Sequence, residues 1–125
     1  MQIMSEKESR EFATYLPHIR RRRLEEQAGW KQRRTKGWEK ALRAAAVLRG
    51  HGALRVVAFG SLVRTGRYDD RSDIDLAEEG IAADEFWRAF AEASRVAEDF
   101  ELDVVDLACC EIALRNVILQ EGVPL

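Results

Sequence analysis

Three short runs of apolar and β-branched residues alternate with helical patterns after the first 52 residues of this chain. They lie at residues 53–59, 73–77 and 101–108 and read ALRVVAF, DIDLA and ELDVVDLA. Their length and composition predict strands, and the apolar residues between them recur at the three-and-four-residue spacing that is typical of helices. With a helix before the first strand, the order is α-β-α-β-α-β-α. This order predicts a small α/β domain around a three-stranded sheet.

The residues before the first strand are predicted to be mostly helical. Ser5 and Glu8 resemble a capping box at a helix start. Pro17 is expected to kink or restart that helix, because proline is best tolerated in a first turn. A buried helical face is then predicted at Trp38, Ala41, Leu42, Ala45 and Leu48. We therefore divide the chain into an N-terminal helical segment, 1–52, that packs on the core or on a partner, and a core domain, 53–125.

Composition places the chain among folded soluble proteins. Of its 125 residues, 46% are hydrophobic and 34% are charged, a balance that argues against global disorder. No apolar run is long enough to span a membrane, and the start lacks the layout of a secretory signal. The cysteines, Cys109 and Cys110, are adjacent, which suits neither a disulfide framework nor a metal site. We therefore expect a cytoplasmic protein.

Charge is distributed unevenly along the chain. Residues 1–50 contain 13 Lys/Arg and 6 Asp/Glu, whereas residues 51–125 contain 7 and 16. The acidic second part disfavours a broad nucleic-acid groove and favours a cation as its ligand. The four arginines at 20–23 wrap a full helical turn, which indicates a solvated helix rather than a nucleic-acid site. The basic helices could pair with a second copy or with another protein, and we expect a homodimer.

Asp73 and Asp75 occupy alternate positions of the second predicted strand. Side chains two apart on a strand share a face at a separation of about 6–7 Å. At an effective dielectric constant of about 20, the two charges repel each other by on the order of 2–3 kcal/mol. A bound divalent cation would reverse the sign of this interaction, and hard carboxylate oxygens suit magnesium. An edge strand with an acidic exposed face explains the pair equally well, so the pair alone does not decide.

A glycine and a serine, Gly60 and Ser61, end the first predicted strand. Such a turn offers backbone amides and a hydroxyl to an anion, and glycine permits the close approach of a phosphate. Eleven residues separate Ser61 from Asp73. A phosphate-binding turn joined by a short loop to a metal-binding pair is the combination that phosphoryl-transfer chemistry requires.

The stretch FGSLVRTGRYDDRSDIDLA, at residues 59–77, resembles the signature of the DNA polymerase β-like nucleotidyltransferase superfamily. The similarity is greatest to its minimal nucleotidyltransferase branch, the antitoxins of HEPN/minimal-nucleotidyltransferase modules. That family has about ten residues in the gap that holds eleven here, and the extra residue falls near Arg-Thr-Gly, where a loop tolerates it. The third strand and the closing ALRNVILQEGVPL also match, so the resemblance covers about residues 53–125. It implies a small nucleotidyltransferase fold with a mixed three-stranded sheet and an extended N-terminal helical segment.

The resemblance implies transfer of AMP from ATP to a hydroxyl, with release of pyrophosphate. The Gly60–Ser61 turn would hold the triphosphate, and Arg64 beside it could steady the phosphates. Asp73 and Asp75 would bind two Mg²⁺ ions. A third carboxylate on the last strand, Asp103, would complete the metal site and help to activate the attacking hydroxyl.

The last predicted strand contains a second aspartate, Asp106. Because Asp103 and Asp106 lie three residues apart, their side chains point to opposite faces of a strand, and both can hardly bind the same ions. Each shares its face with two apolar residues, so the alternation does not choose between them. The resemblance selects Asp103.

Members of this branch adenylylate a tyrosine of their partner, a HEPN ribonuclease toxin, and so neutralise it. A core of this size leaves no room for an acceptor-binding domain, so we expect the acceptor to be presented by such a partner. Two alternatives stay open. The chain could be a non-catalytic module that masks its partner through the basic helices, or a nucleotidyltransferase that acts on RNA or on a small-molecule hydroxyl. The base preference and the number of nucleotides added are also open.

Overall fold

The computed structural model describes residues 5–125, apart from the side chain of Phe12. One mixed sheet forms the centre of the fold, and its strands are β1 Arg55–Phe59, β2 Ile74–Glu79, β3 Leu102–Asp106 and β4 Val123–Pro124. Their spatial order is β3-β2-β1-β4. β1 runs antiparallel to both β2 and β4, and β2 runs parallel to β3. The predicted α/β fold with a mixed sheet is confirmed.

The sheet has one strand more than the three that were predicted. β4 contains only two residues, and it pairs Val57 with Pro124 and Ala58 with Val123. Two residues are too few to produce the alternation that identifies a strand in a sequence. Pro124 is compatible with this position, because β4 lies at the edge of the sheet and need not donate hydrogen bonds on both sides.

Within residues 5–125, three α-helices pack around the sheet: α1 Glu6–Gly50, α2 Phe86–Ala97 and α3 Ile112–Glu121. The predicted cap of α1 is confirmed, because the Glu8 amide donates to Ser5 Oγ at 3.2 Å. Pro17 lies inside α1 without ending it, so the predicted restart is wrong. The glutamate, arginine and leucine residues on both sides are strong helix formers, which offsets the loss of one backbone hydrogen bond. Among residues 5–125, no helix combines the length and apolarity needed to span a membrane.

The core lies on both faces of the sheet. The second half of α1 and the small side chains of α2 pack on one face, where Ala41, Ala44, Ala45 and Leu48 are fully buried. A smaller cluster on the other face contains Val57, Ala77, Leu107 and Ile118, the last from α3. Of the residues predicted to be buried in α1, only Leu42 is mostly exposed, at 54%. The sheet is therefore buried on both sides along β1 and β2. α1 and α2 cover one face, and α3 covers the other.

Two glycines of α1 have opposite packing environments, and their replacement by alanine is expected to have opposite effects. A Cβ at Gly29 would meet nothing within 4 Å, whereas a Cβ at Gly37 would lie 2.9 Å from the Tyr68 hydroxyl and 3.0 Å from Leu62 Cδ1. We expect Gly29→Ala to raise the free energy of unfolding by about 0.5–1 kcal/mol. Gly37→Ala should lower it by about 1–3 kcal/mol, because Tyr68 and Leu62 are buried and cannot move freely. Urea denaturation of both variants tests this, and equal effects would contradict it.

His51, just after α1, links the end of α1 to α2 through two carboxylates. Its Nδ1 lies 2.9 Å from a carboxylate oxygen of Glu85, and its Nε2 contacts Glu92. The hydrogen bonds to Glu92 and Glu85 raise the pKa of His51 above its ordinary value of 6.5. The protonated ring therefore stabilises the fold fully below pH 6.5, and this contribution is lost as the pH rises through the raised pKa.

We expect His51→Gln to remove this part of the dependence of stability on pH. The measurement is the urea midpoint of the parent protein and the variant at several pH values between about 6 and 9. His18→Gln is the control, because His18 is exposed on the first half of α1. A parent midpoint that stays constant across this range would contradict the prediction.

Candidate functional site

The turn after β1 lies directly against an aspartate of β2. The chain leaves β1 through one turn of 3₁₀ helix, Gly60–Leu62. Gly60 has φ +74°, a conformation that glycine adopts without the strain that a Cβ would add. A Cβ built on Gly60 would overlap the carboxylate of Asp75. The glycine therefore allows the turn and the Asp75 carboxylate to lie in contact.

Asp75 and Asp103 are neighbours across two parallel strands. They are register partners in the β2–β3 pair, and Asp75 faces Phe59 of β1 on its other side. The pKa of Asp75 is raised above its ordinary value, first by burial and then by the charges of Asp103 and Asp73. Arg64 acts in the opposite direction. The Asp75 carboxylate is thus close enough to the carboxylates of Asp103 and Asp73 to be repelled by both.

Asp73 immediately precedes β2 and is held through its backbone. The Tyr68 hydroxyl donates to the Asp73 carbonyl at 3.0 Å. Tyr68 is fully buried, and burial raises its pKa to about 12, so the hydroxyl keeps its proton and remains a donor at neutral pH. The Asp73 side chain is half-buried, and its carboxylate accepts none of the hydrogen bonds found among residues 5–125.

Asp106 belongs to a different pair of carboxylates. Its register partner is Glu78, on the opposite face of β2 from Asp75. The Asp106 carboxylate accepts a hydrogen bond from the Ala108 amide at 2.9 Å. Glu78 is fully buried, and its pKa is raised mainly by burial and also by Asp106. Asp103 therefore lies beside Asp75, whereas Asp106 does not.

Arg64 lies near this group, but its guanidinium is also paired elsewhere. Nη2 of Arg64 lies 3.3 Å from a carboxylate oxygen of Glu121, and both side chains are exposed. An exposed ion pair of this kind contributes about 0–1 kcal/mol. Arg64 can therefore exchange this partner for a phosphate at little cost.

Two side chains of α1 contact the loop between the turn and the aspartates, and the sequence analysis missed them. Nη2 of Arg34 donates to the carbonyls of Ser61 at 3.5 Å and of Gly66 at 3.0 Å. Its guanidinium carbon lies 5.0 Å from the centre of the Tyr68 ring. Arg33 Nε donates to the Asp69 carbonyl at 2.6 Å. No local pattern marks these arginines, because the residues that they contact are distant in the sequence.

The side chains of the site offer donor atoms that suit a hard cation. Asp73, Asp75 and Asp103 offer only carboxylate oxygens, the ligands that Mg²⁺ prefers. As the side chains stand in residues 5–125, no group of three acidic, histidine or cysteine side chains converges closely enough to hold an ion. Burial and then the charges of Asp103 and Asp73 raise the pKa of Asp75, and a bound cation would offset the repulsion between these carboxylates.

No protein-family model matches this sequence, and a comparison with curated proteins finds no significant relative. Solved structures do match. A chain described as a putative minimal nucleotidyltransferase is 30% identical, with 67% of this chain and 90% of that chain covered and a TM-score of 0.56. A toxin–antitoxin complex with AMP-PNP is 21% identical, with coverages of 67% and 70% and a TM-score of 0.56.

A third similar structure contains a tri-AMPylated HEPN toxin of Shewanella oneidensis in complex with an MNT antitoxin. Its matching chain is 19% identical, with 70% of each chain covered and a TM-score of 0.53. The two complexes are similar to this chain in fold. The putative minimal nucleotidyltransferase is similar to this chain in sequence as well, at 30% identity with 90% of that chain covered. This chain belongs to the minimal nucleotidyltransferase family.

Proposed function

We propose that this protein transfers AMP from ATP to a tyrosine hydroxyl of a HEPN ribonuclease toxin and so acts as its antitoxin. The observation that supports this most directly is the contact between the Gly60 turn and Asp75, with Asp103 as the next strand neighbour. A phosphate-binding turn and acidic residues then lie side by side. One similar structure holds an AMPylated HEPN toxin beside its antitoxin, and another holds AMP-PNP.

The three carboxylates would hold two Mg²⁺ ions. Asp75 is the central member, because its pKa responds to both Asp103 and Asp73. When bound, the ions would neutralise the charge of the triphosphate and favour ionisation of the attacking hydroxyl. The fit rests on the all-oxygen donor set and on the unbalanced negative charge around Asp75.

The chain's own groups would divide the remaining work. The Ser61 hydroxyl and the backbone amides of the turn would bind the triphosphate, and Arg64 would contact its outer oxygens. The acceptor oxygen forms a bond to the α-phosphorus while the bond from that phosphorus to the bridging oxygen breaks, and pyrophosphate leaves. Asp103, the most exposed of the three carboxylates, would take the proton of the acceptor hydroxyl.

The test supplies every class of acceptor to the full chain in parallel. ATP labelled on the α-phosphate is incubated with Mg²⁺ and, in separate reactions, with a HEPN protein, an RNA and an aminoglycoside. Label in the HEPN protein at a tyrosine, absent with EDTA, is the expected result. Label in RNA or aminoglycoside alone would replace the proposed acceptor. Neutralisation of the toxin without any label would favour a non-catalytic antitoxin.

The turn serine can be tested separately. Ser61 is half-buried, and its carbonyl is already held by Arg34. We expect Ser61→Ala to weaken triphosphate binding by about 1–3 kcal/mol, because one hydroxyl donor to a charged phosphate is lost. The fold should change little. Isothermal titration with AMP-PNP and Mg²⁺ measures this, with Ser94→Ala of α2 as the control, and unchanged affinity would remove Ser61 from the site.

A further inference from the structure

The first part of α1, residues 6–29, extends away from the core, and we refer to it as the arm. Every side chain that the structure describes in the arm is exposed. At 1.5 Å per residue the arm is about 36 Å long. Most of the stability of helices in proteins comes from packing of an apolar face rather than from helix propensity, and no element of residues 5–125 covers the arm. The arm therefore has the properties of a helix that needs a partner.

The arm has one apolar stripe. Tyr15, Leu16 and Ile19 lie within about one turn of each other on the same side of the helix, and their exposed fractions are 66%, 36% and 44%. Leu24 is 67% exposed, but it lies off this stripe. Glu8 is seven residues before Tyr15, and Arg23 is seven residues after Leu16. Both charged residues therefore lie on the stripe, one at each end.

This stripe is complementary to itself in the antiparallel direction. Glu8 and Arg23 are equally distant from a midpoint between Tyr15 and Leu16. When two arms run antiparallel about that midpoint, Glu8 of each copy faces Arg23 of the other. Tyr15 of each copy then faces Leu16 of the other. Within residues 5–125, neither Glu8 nor Arg23 forms an ion pair in its own chain.

We propose that the occupant of the stripe is a second copy of this chain, with its arm antiparallel and centred between Tyr15 and Leu16. Self-complementary charge about a midpoint is what a two-fold symmetric interface requires, whereas an unrelated partner would need no such symmetry. The helical rise places Trp30, where the core begins, about 44 Å from Trp30 of the second copy along the shared axis. Both candidate sites then remain open to an acceptor protein.

The apolar part of the interface is tested by a matched pair of leucines. Sedimentation equilibrium of the full chain should give a dimer. Leu16→Glu should raise the dimer dissociation constant on the order of a hundredfold or more, because two leucines leave the interface. Leu24→Glu, off the stripe, should leave it within about twofold. A monomeric parent protein, or equal effects of the two substitutions, would overturn the proposal.

Charge exchange then tests the antiparallel register. Glu8→Arg and Arg23→Glu should each raise the dissociation constant on the order of tenfold, because both symmetric pairs become repulsive. The variant that carries both substitutions should restore the dimer, since opposite charges would again face each other at both ends of the stripe. Arg21→Glu, on the opposite side of the arm, is the control for the change in net charge. A double variant that dimerises no better than the single ones would overturn the register.

A HEPN protein on the same stripe would give a different pattern. Leu16→Glu would then weaken binding of the HEPN protein in a pull-down, and the double charge variant would not recover it. This outcome, with a monomeric parent protein, assigns the arm to the toxin and contradicts the second copy. Circular dichroism of each variant confirms that the helix content is kept.

Discussion

Asp75→Asn is expected to reduce nucleotide transfer by about 10²–10³-fold while the fold is kept, because the substitution removes a charge that would help to stabilise the transition state through the bound ions. Asp75 lies between the Gly60 turn and Asp103, so an ion held by its carboxylate would also lie beside a triphosphate bound at the turn. The measurement is transfer of labelled AMP at saturating ATP and Mg²⁺.

The same substitution should stabilise the protein at neutral pH. Burial and the neighbouring carboxylates raise the pKa of Asp75 above 3.8, so its ionised form is less favourable in the folded state than in the unfolded state. This destabilisation is fully present above the raised pKa and disappears as the pH falls below 3.8. The asparagine side chain carries no charge, so the difference in melting temperature between variant and parent should shrink towards acidic pH.

Two results would contradict the assignment of Asp75. Full transfer by Asp75→Asn with Mg²⁺ as the sole metal would remove it from the reaction. A clear fall in melting temperature at neutral pH would indicate a structural carboxylate instead. Asp99→Asn, at an exposed position between α2 and β3, is the control for the loss of one charge. Asp73→Asn should lose transfer in the same way as Asp75→Asn.

Asp103→Asn should reduce transfer by about 10²–10⁴-fold, the range that a general base contributes. AMP-PNP binding should be largely kept, since the Gly60 turn and Asp75 remain. Asp106→Asn should cost much less transfer, because that carboxylate lies on the opposite face and accepts the Ala108 amide. We expect Asp106→Asn to raise the stability of the fold instead, since an asparagine can still accept this hydrogen bond but no longer repels the buried Glu78.

Asp103→Asn and Asp106→Asn serve as controls for each other, because each variant removes one negative charge from β3. Single-turnover transfer and AMP-PNP affinity are measured for each. A larger loss of transfer in Asp106→Asn would move the third carboxylate to the other face of the strand. Equal and small losses of transfer in both variants would mean that β3 supplies no third carboxylate to the site of Asp73 and Asp75.

Much of the fold could be predicted because the relevant signals are local. The three longer strands are continuous runs rich in apolar and β-branched residues, and the Ser5 cap and the helical spacing of α1 lie within a few residues. β4 could not be predicted, since two residues acquire extended structure only by pairing with β1. Whether α1 restarts at Pro17 could not be decided from the sequence for a related reason. The cost of proline in a helix is a property of one residue, whereas the stability of the helix depends on the whole flanking segment.

The sequence by itself determined the chemistry that the site can offer. Gly60, Ser61, Asp73 and Asp75 lie within one short segment, and their types are those that a phosphate-binding turn and a cation-binding pair require. Only the tertiary structure decided which carboxylate joins them, because Asp103 reaches Asp75 through the parallel register of β2 and β3. It also decided that two side chains, Arg34 and Tyr68, hold the loop between the two halves of the motif. Such contacts depend on how α1 packs against the sheet, and packing between distant segments leaves no periodic or local trace in a single sequence.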